Sequence, residues 1–223
     1  MEAEGRDFLS LIIVAWPALQ KGVLLTLGLA AVVVATTLVL GVATAVVMVY
    51  GGRWTGRVLR LYVDFIRGVP ALAIIFSIYY LLPFGGLQLR EFEAAAVALA
   101  VFFTAHVTEV ARGALESIAR GQDDAAKAVG LWFLQRLAYV VFPQAMRRFL
   151  PPWMNVVVEI IKGTALVSLL GIVDLMLATQ QVVGRTFEAM LFYGVAVAIY
   201  VAINATLSNL SRLLERRFAY LDR

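Results

Sequence analysis

The feature that most limits what this chain can become is its near-continuous apolar sequence, broken by one long polar interval at 112–152. Apolar residues make up 62% of the 223 and charged residues 15%, whereas in a soluble domain about half are apolar. Backbone inside lipid must satisfy its own hydrogen bonds, so runs of this length predict membrane-crossing helices. The expected fold is all-α and polytopic. Five spans are predicted at about 22–50, 61–82, 94–110, 153–177 and 189–210. Ahead of them the patch 9–15, closed by Trp16-Pro17, is too short to cross and predicts an interfacial helix within 1–21. The acidic start, MEAEGRDF, lacks the positive n-region of a signal peptide.

The net charge of +4 follows the loops. Arg53, Arg57 and Arg60 after the first span, the cations of 112–152 and the tail Arg212, Arg216, Arg217 and Arg223 all fall on one side. The other two connectors carry one cation each. Positive residues stay cytoplasmic, so the N-terminus is expected outside and the C-terminus inside. This also explains the basic balance without a nucleic-acid partner. The absence of cysteine excludes disulfides, thiolate metal sites and cysteine nucleophiles.

Within the polar interval, 123–134 places Ala126, Val129 or Gly130, and Phe133 at helical spacing opposite Asp124 and Lys127. That pattern predicts a short amphipathic helix between Gly121 and Pro143, held outside the membrane by two spans and suited to docking a soluble partner. Inside the spans, ionisable groups stand out because each costs about 2.5–3.5 kcal/mol at the bilayer centre. Glu159 and Lys162 share one face of the fourth span. They form an intrahelical ion pair, or line a polar cavity that meets a zwitterion, and both can hold at once. Glu109 with Arg112, and Asp64 with Arg67, lie near span ends. His106 lies one turn from Glu109 and is expected to be a packing or cavity histidine. With Ser77, Asn155 and Thr164, the residues Glu159, Lys162, His106 and Glu109 are the candidates for lining a solute path. Asn204, Thr206, Ser208 and Asn209 read as interhelical hydrogen-bond partners, and Thr37, Gly41 and Ala45 as a small-residue packing stripe. No phosphate-binding glycine loop, zinc-protease motif or serine triad is present, so the energy source must be another polypeptide or an ion gradient.

Several blocks now carry a resemblance. The stretch Gly121-Gln122-Asp123-Asp124-Ala125-Ala126-Lys127-Ala128-Val129-Gly130-Leu131 resembles the EAA loop of bacterial ABC importer permeases. Pro143-Gln144-Ala145, Arg147, Leu150-Pro151 and Asn155 continue that pattern in order. So do Lys162-Gly163-Thr164-Ala165-Leu166-Val167-Ser168, Phe65-Ile66-Arg67-Gly68-Val69-Pro70, Thr26-Leu27 and Leu214-Glu215-Arg216-Arg217. The match covers essentially the whole chain and looks like the polar amino acid uptake subfamily, whose permeases have five spans. Asp124 stands where the family has Glu, Val69 where it has Thr, and Gly163 and Ala165 where it has Asp and Ser.

The resemblance implies a non-enzymatic subunit whose transmembrane domain fills 22–223, with a coupling loop at about 113–150. Gly121, Gln122, Asp123, Asp124, Ala125, Ala126, Lys127, Gly130 and Leu131 would contact an ATPase dimer that binds the ATP and magnesium, this chain holding no cofactor or metal. It further implies a second permease copy or paralogue, an extracellular or periplasmic solute-binding protein, an amino acid or close analogue as solute, and a bacterial inner-membrane location. Two other readings stay open on the residues alone. One is a gradient-coupled transporter using His106 and Glu109 as a proton site, and the other is a membrane scaffold.

Overall fold

The computed structural model describes residues 8–219, with side chains described as far as Leu213. The acidic residues 1–7, the side chains of Leu214-Glu215-Arg216-Arg217, and Arg223 lie outside that description. Every regular element among the described residues is helical. Four helices among the described residues are long and apolar enough to cross a membrane, and a bent helix pair brings the number to five only when its two arms are counted as one span.

The first helix, α1, runs Phe8–Tyr50 without the expected break at Trp16-Pro17. Proline removes one backbone donor, but helix on both sides keeps the remaining groups paired, and Ala15 and Leu19 pack on the far end of the molecule. Beyond Gly52 the second span, expected at about 61–82 with a kink at Pro70, is bent far more sharply than a kink. There α2, Arg53–Gly68, and α3, Ala71–Leu81, meet at 104°. Val69 is extended, with ψ of 137°, because the ring of Pro70 disfavours helical backbone at the residue before it. A 3-10 turn, Leu82–Gly85, completes this crossing.

The central helix is α4, Glu91–Glu116. It contacts α1, α2, α3 and the seventh helix, and its contact faces are rich in small residues, including Ala94, Ala95, Ala98, Ala105, Ala111 and Ala114, all buried. Small side chains let neighbouring backbones approach closely in lipid. From α1 the stripe Thr37, Gly41 and Ala45 faces this surface, and all three are buried. A Cβ on Gly41 would come within 2.6 Å of the Val107 side chain.

The polar interval is shorter than the sequence suggests. Between α4 and α7, Phe142–Gly163, lie only α5, Arg120–Ala128, α6, Phe133–Arg136, and a π-helical turn, Leu137–Val141. Pro143 occupies the first turn of α7, where a missing N–H leaves no bond unmade. Pro151 and Pro152 lie inside α7 rather than stopping it. Ala145, Phe149, Val156 and Ile160 of that helix belong to the main buried core shared with α4, and this packing holds the helix through the two prolines. After α7 the chain tightens into a 3-10 segment, Thr164–Leu170. The stretch read as a polar connector is largely a helix, α8, Leu175–Thr186. It packs on α1 and on α9, Ala189–Ala219.

Candidate functional site

At one end of the bundle α5 projects from the spans. Only Ala126 of its nine residues is buried. Gly121, Gln122, Asp124, Ala125, Lys127 and Gly130 are exposed, while Asp123 and Leu131 are half-buried. The helix is shorter than the expected 123–134 because the chain turns at Gly130, whose φ of +84° suits a residue without Cβ. The Gly130 N–H donates to Lys127 O and the Leu131 N–H to Ala126 O, which closes the helix end.

Asp123 is the internal anchor. It lies 2.7 Å from Lys127 Nζ and 3.1 Å from Arg136 Nη1. Arg136 in turn lies over the Phe133 ring, and Phe133 meets Tyr50 of α1 edge-on at 5.5 Å. Asp124 pairs with Lys127 at 3.1 Å on the outer face, and Gln144 of α7 donates to Gln122 at 3.4 Å. Hydrogen bonds to Asp123 and Asp124 push the Lys127 ammonium above its ordinary pKa, so this face keeps its cation. Behind α5, a cavity of ≈ 780 Å³ separates it from the end of α1, lined by Tyr50, Leu115, Glu116, Arg120 and Asp123 among others. The sequence pattern located this helix. It gave no sign of the Asp123–Arg136 link, because the partners lie thirteen residues apart across a turn.

The path candidates divide. Asn155, Glu159 and Lys162 recur at four and three residues along α7 and are all exposed on one face. Glu159 and Lys162 form no ion pair, with each other or with any described residue. Gly163 packs against Phe103, so a Cβ there would lie 3.1 Å from the ring. Phe103 is roughly midway along α4, which places Lys162 deep in the membrane thickness. Thr164, by contrast, is fully buried and donates to Ile161 O at 2.8 Å, so its hydroxyl serves its own helix. Ser77 is exposed on α3, away from the α7 face.

His106 and Glu109 sit on α4. His106 Nδ1 lies 3.0 Å from the Phe102 carbonyl oxygen, an acceptor only, so the ring carries its proton at Nδ1. Glu109 accepts from Arg112 at 2.5 and 3.0 Å and lies 3.9 Å from Arg67 of α2. Arg112 also pairs with Glu116. Glu109 is therefore a structural ion-pair member with its charge compensated twice.

One group escaped the sequence reading. Asp174, fully buried at the end of the molecule opposite α5, accepts from the Leu177 N–H at 2.9 Å and caps α8. The Leu175 N–H beside it donates to Thr26 of α1 at 3.1 Å. An aspartate directly before an apolar helical stretch is an N-cap signal and marks this helix start.

The architecture and sequence both have close counterparts. The glutamine transport system permease protein GlnP of Escherichia coli (strain K12) is 33% identical over 211 residues, covering 92% of this chain and 96% of that protein. The arginine ABC transporter permease protein ArtQ of Haemophilus influenzae is 31% identical over 228 residues, covering 97% of each. A crystal structure of an amino acid ABC transporter with histidines superposes at a TM-score of 0.86, with 30% identity, over 95% of this chain and 98% of that one. An inward-facing structure of the MetNI methionine ABC transporter shares the fold at a TM-score of 0.78 and 18% identity. Residues 37–220, from the small-residue stripe of α1 through α5 and into α9, match a family profile, and the chain belongs to the binding-protein-dependent transport system inner membrane components.

Proposed function

We propose that this chain is the permease subunit of an ATP-driven importer of polar amino acids, and that it works as a pair of permease chains. One observation carries the pairing and the solute class together: Glu159 and Lys162 are exposed at mid-membrane without partners. Unpaired charges facing lipid there would cost about 2.5–3.5 kcal/mol each. A water-filled path between two permease chains removes that cost, and a carboxylate beside an ammonium suits a zwitterion. Relatives that carry glutamine and arginine support the same solute class.

In this reading α5 faces the cytoplasm and docks on an ATPase subunit, the N-terminus lies outside, and a binding protein delivers solute to the α8 side. ATP-driven closure of the ATPase pair draws two α5 helices together and rocks the spans as rigid bodies. The proton-coupled alternative loses its site, since Glu109 is held between two arginines and His106 serves its own helix.

The test uses the transporter assembled with its ATPase and binding protein in proteoliposomes. Glu159→Gln and Lys162→Gln should each abolish uptake or change which amino acid is carried, with insertion unchanged. Wild-type uptake and solute profile in both variants would overturn the path assignment. Uptake by this chain alone, without ATPase, would overturn the importer reading.

A further inference from the structure

The helix α2 is divided lengthwise into three faces. Val63 and Ile66 are buried against the bundle, and the Tyr62 hydroxyl donates to the Val101 carbonyl of α4 at 2.8 Å. A second face carries Trp54, Val58, Leu61 and Phe65, each at least 65% exposed. The third carries Arg53, Arg57, Arg60, Asp64 and Arg67, also exposed. At ~100° per residue the three faces point roughly 120° apart. A helix in contact with only protein and water needs two faces. Three imply a third medium.

The depth of α2 is fixed by its contacts. Arg67 reaches Glu109 at 3.9 Å. From Glu91 at the start of α4 to Glu109 is a rise of about 27 Å, close to the ~30 Å hydrocarbon core. The bend of 104° turns α2 away from the direction of the crossing helix α3. Its C-terminal end therefore lies near the membrane boundary on the α5 side, with α2 set at a steep angle to α3 and Tyr62 reaching inward to Val101.

We infer that α2 is a phospholipid-binding interfacial helix. Trp54, Val58, Leu61 and Phe65 enter the acyl layer, and Arg53, Arg57 and Arg60 engage the phosphates of anionic lipid. Charge complementarity selects that occupant, because three of the four arginines stand beside the apolar stripe and carry no ion pair, whereas Arg67 is directed to Glu109. Amphipathic helices of this kind, apolar on one side and arginine-rich on the other, bind anionic interfaces. Arg57 also lies over the Trp54 ring at 5.0 Å, which links the two faces at the headgroup level. Because α2 is tied to α4 by Tyr62 and Arg67, the lipid contact anchors the central helix of the bundle. The inference rests on membrane embedding and not on solute or energy source.

The chain has no cysteine, so single-cysteine spin labels report one site each. Val58→Cys, Leu61→Cys, Phe65→Cys, Arg57→Cys, Arg60→Cys, Asp64→Cys and Val63→Cys are introduced singly into the full chain, assembled with its partner subunits in nanodiscs. Labels at 58, 61 and 65 should be reached by oxygen and not by a water-soluble nickel reagent. Those at 57, 60 and 64 should show the reverse, and the label at 63 should be shielded from both. Shielding of 58, 61 and 65 from both reagents means that protein, a second copy or the ATPase, covers this face and overturns the inference; so does access of the nickel reagent to them. In a second arm, Arg57→Gln and Arg60→Gln should each lower co-purified phosphatidylglycerol relative to phosphatidylcholine, by about fivefold per arginine. An unchanged ratio overturns the anionic-lipid assignment. Loss of transport with the label pattern intact would sink the importer reading and leave this one standing.

Discussion

No cation among the described residues pairs with the buried carboxyl of Asp174. Burial pushes its pKa up to about 6, against a partial lowering by the backbone N–H groups of the α8 cap. An unfolded aspartate loses its proton near pH ~3.9. Between about pH 4 and 6 the folded chain thus binds more protons, so stability falls as pH rises through that window and levels off above it. Asp174→Asn keeps an oxygen to cap α8 and removes the charge. It should flatten that slope and raise the melting temperature at neutral pH, by an amount on the order of 2 kcal/mol. Melting curves of both proteins at about pH 4.5 and about pH 7.5, either side of the folded pKa, check it, and an undiminished slope in the variant would assign the dependence elsewhere. Beside this carboxyl, a Cβ on Gly22 would meet the Asp174 carbonyl oxygen at 2.8 Å and Leu175 Cα at 2.9 Å. Backbone has little room to give, so Gly22→Ala should cost about 1–3 kcal/mol, read as a lower melting temperature in the same detergent.

At the scale of elements, α5 is held at two points, by its chain connections and by the Asp123–Arg136–Phe133–Tyr50 chain of contacts, and in the proposed role it acts as a lever. The carboxylate of Asp124 pairs with Lys127 on the exposed outer face, where a partner can reach it, whereas Asp123 is committed inward to Arg136. Asp124→Lys and Gly130→Asp should therefore uncouple ATP hydrolysis from uptake while leaving the chain inserted, with uptake down about tenfold or more, the effect of ~1.4 kcal/mol on a two-state balance. Arg136→Gln should give the same uncoupling from the other side, by loosening the link to α1. Simultaneous measurement of ATPase rate and uptake separates this from loss of assembly, and uptake that tracks hydrolysis in all three variants would refute the lever. The sequence made α5 legible through its amphipathic spacing and its resemblance. It made α2 illegible, because the pattern of 53–68 was divided between a basic connector and the head of a span. Pro70 signalled a kink there, but a proline specifies where a helix bends and not by how much. Pro17, Pro151 and Pro152 mislead in the opposite direction, since the packing of α1 and α7 carries both helices through them.

As a whole molecule, one chain leaves Glu159 and Lys162 of α7 without an ion-pair partner among the described residues, while Asn155 borders a hollow with Ser208 and Arg212 of its own α9. The α7 face of one permease chain is expected to oppose that of the other. Asn155→Cys, in a chain otherwise free of cysteine, should cross-link permease to permease with short bifunctional reagents, and added solute should change the yield. Cross-linking only to lipid would place that face at the perimeter. The all-helical membrane class was readable from hydropathy alone, since lipid allows so few alternatives. The lack of an ion pair between Glu159 and Lys162 was not readable. Spacing of three permits such a pair, and only the rotamers and surroundings decide whether it forms.

The hollow of ≈ 780 Å³ behind α5 has a mechanical consequence. A lever backed by solid packing has no stroke: any push on it passes at once into the bundle, and nothing can return. In the proposed coupling role, the hollow gives α5 room to tilt about the Asp123–Arg136–Phe133–Tyr50 contacts that tie it to α1, so its motion is passed on through those contacts.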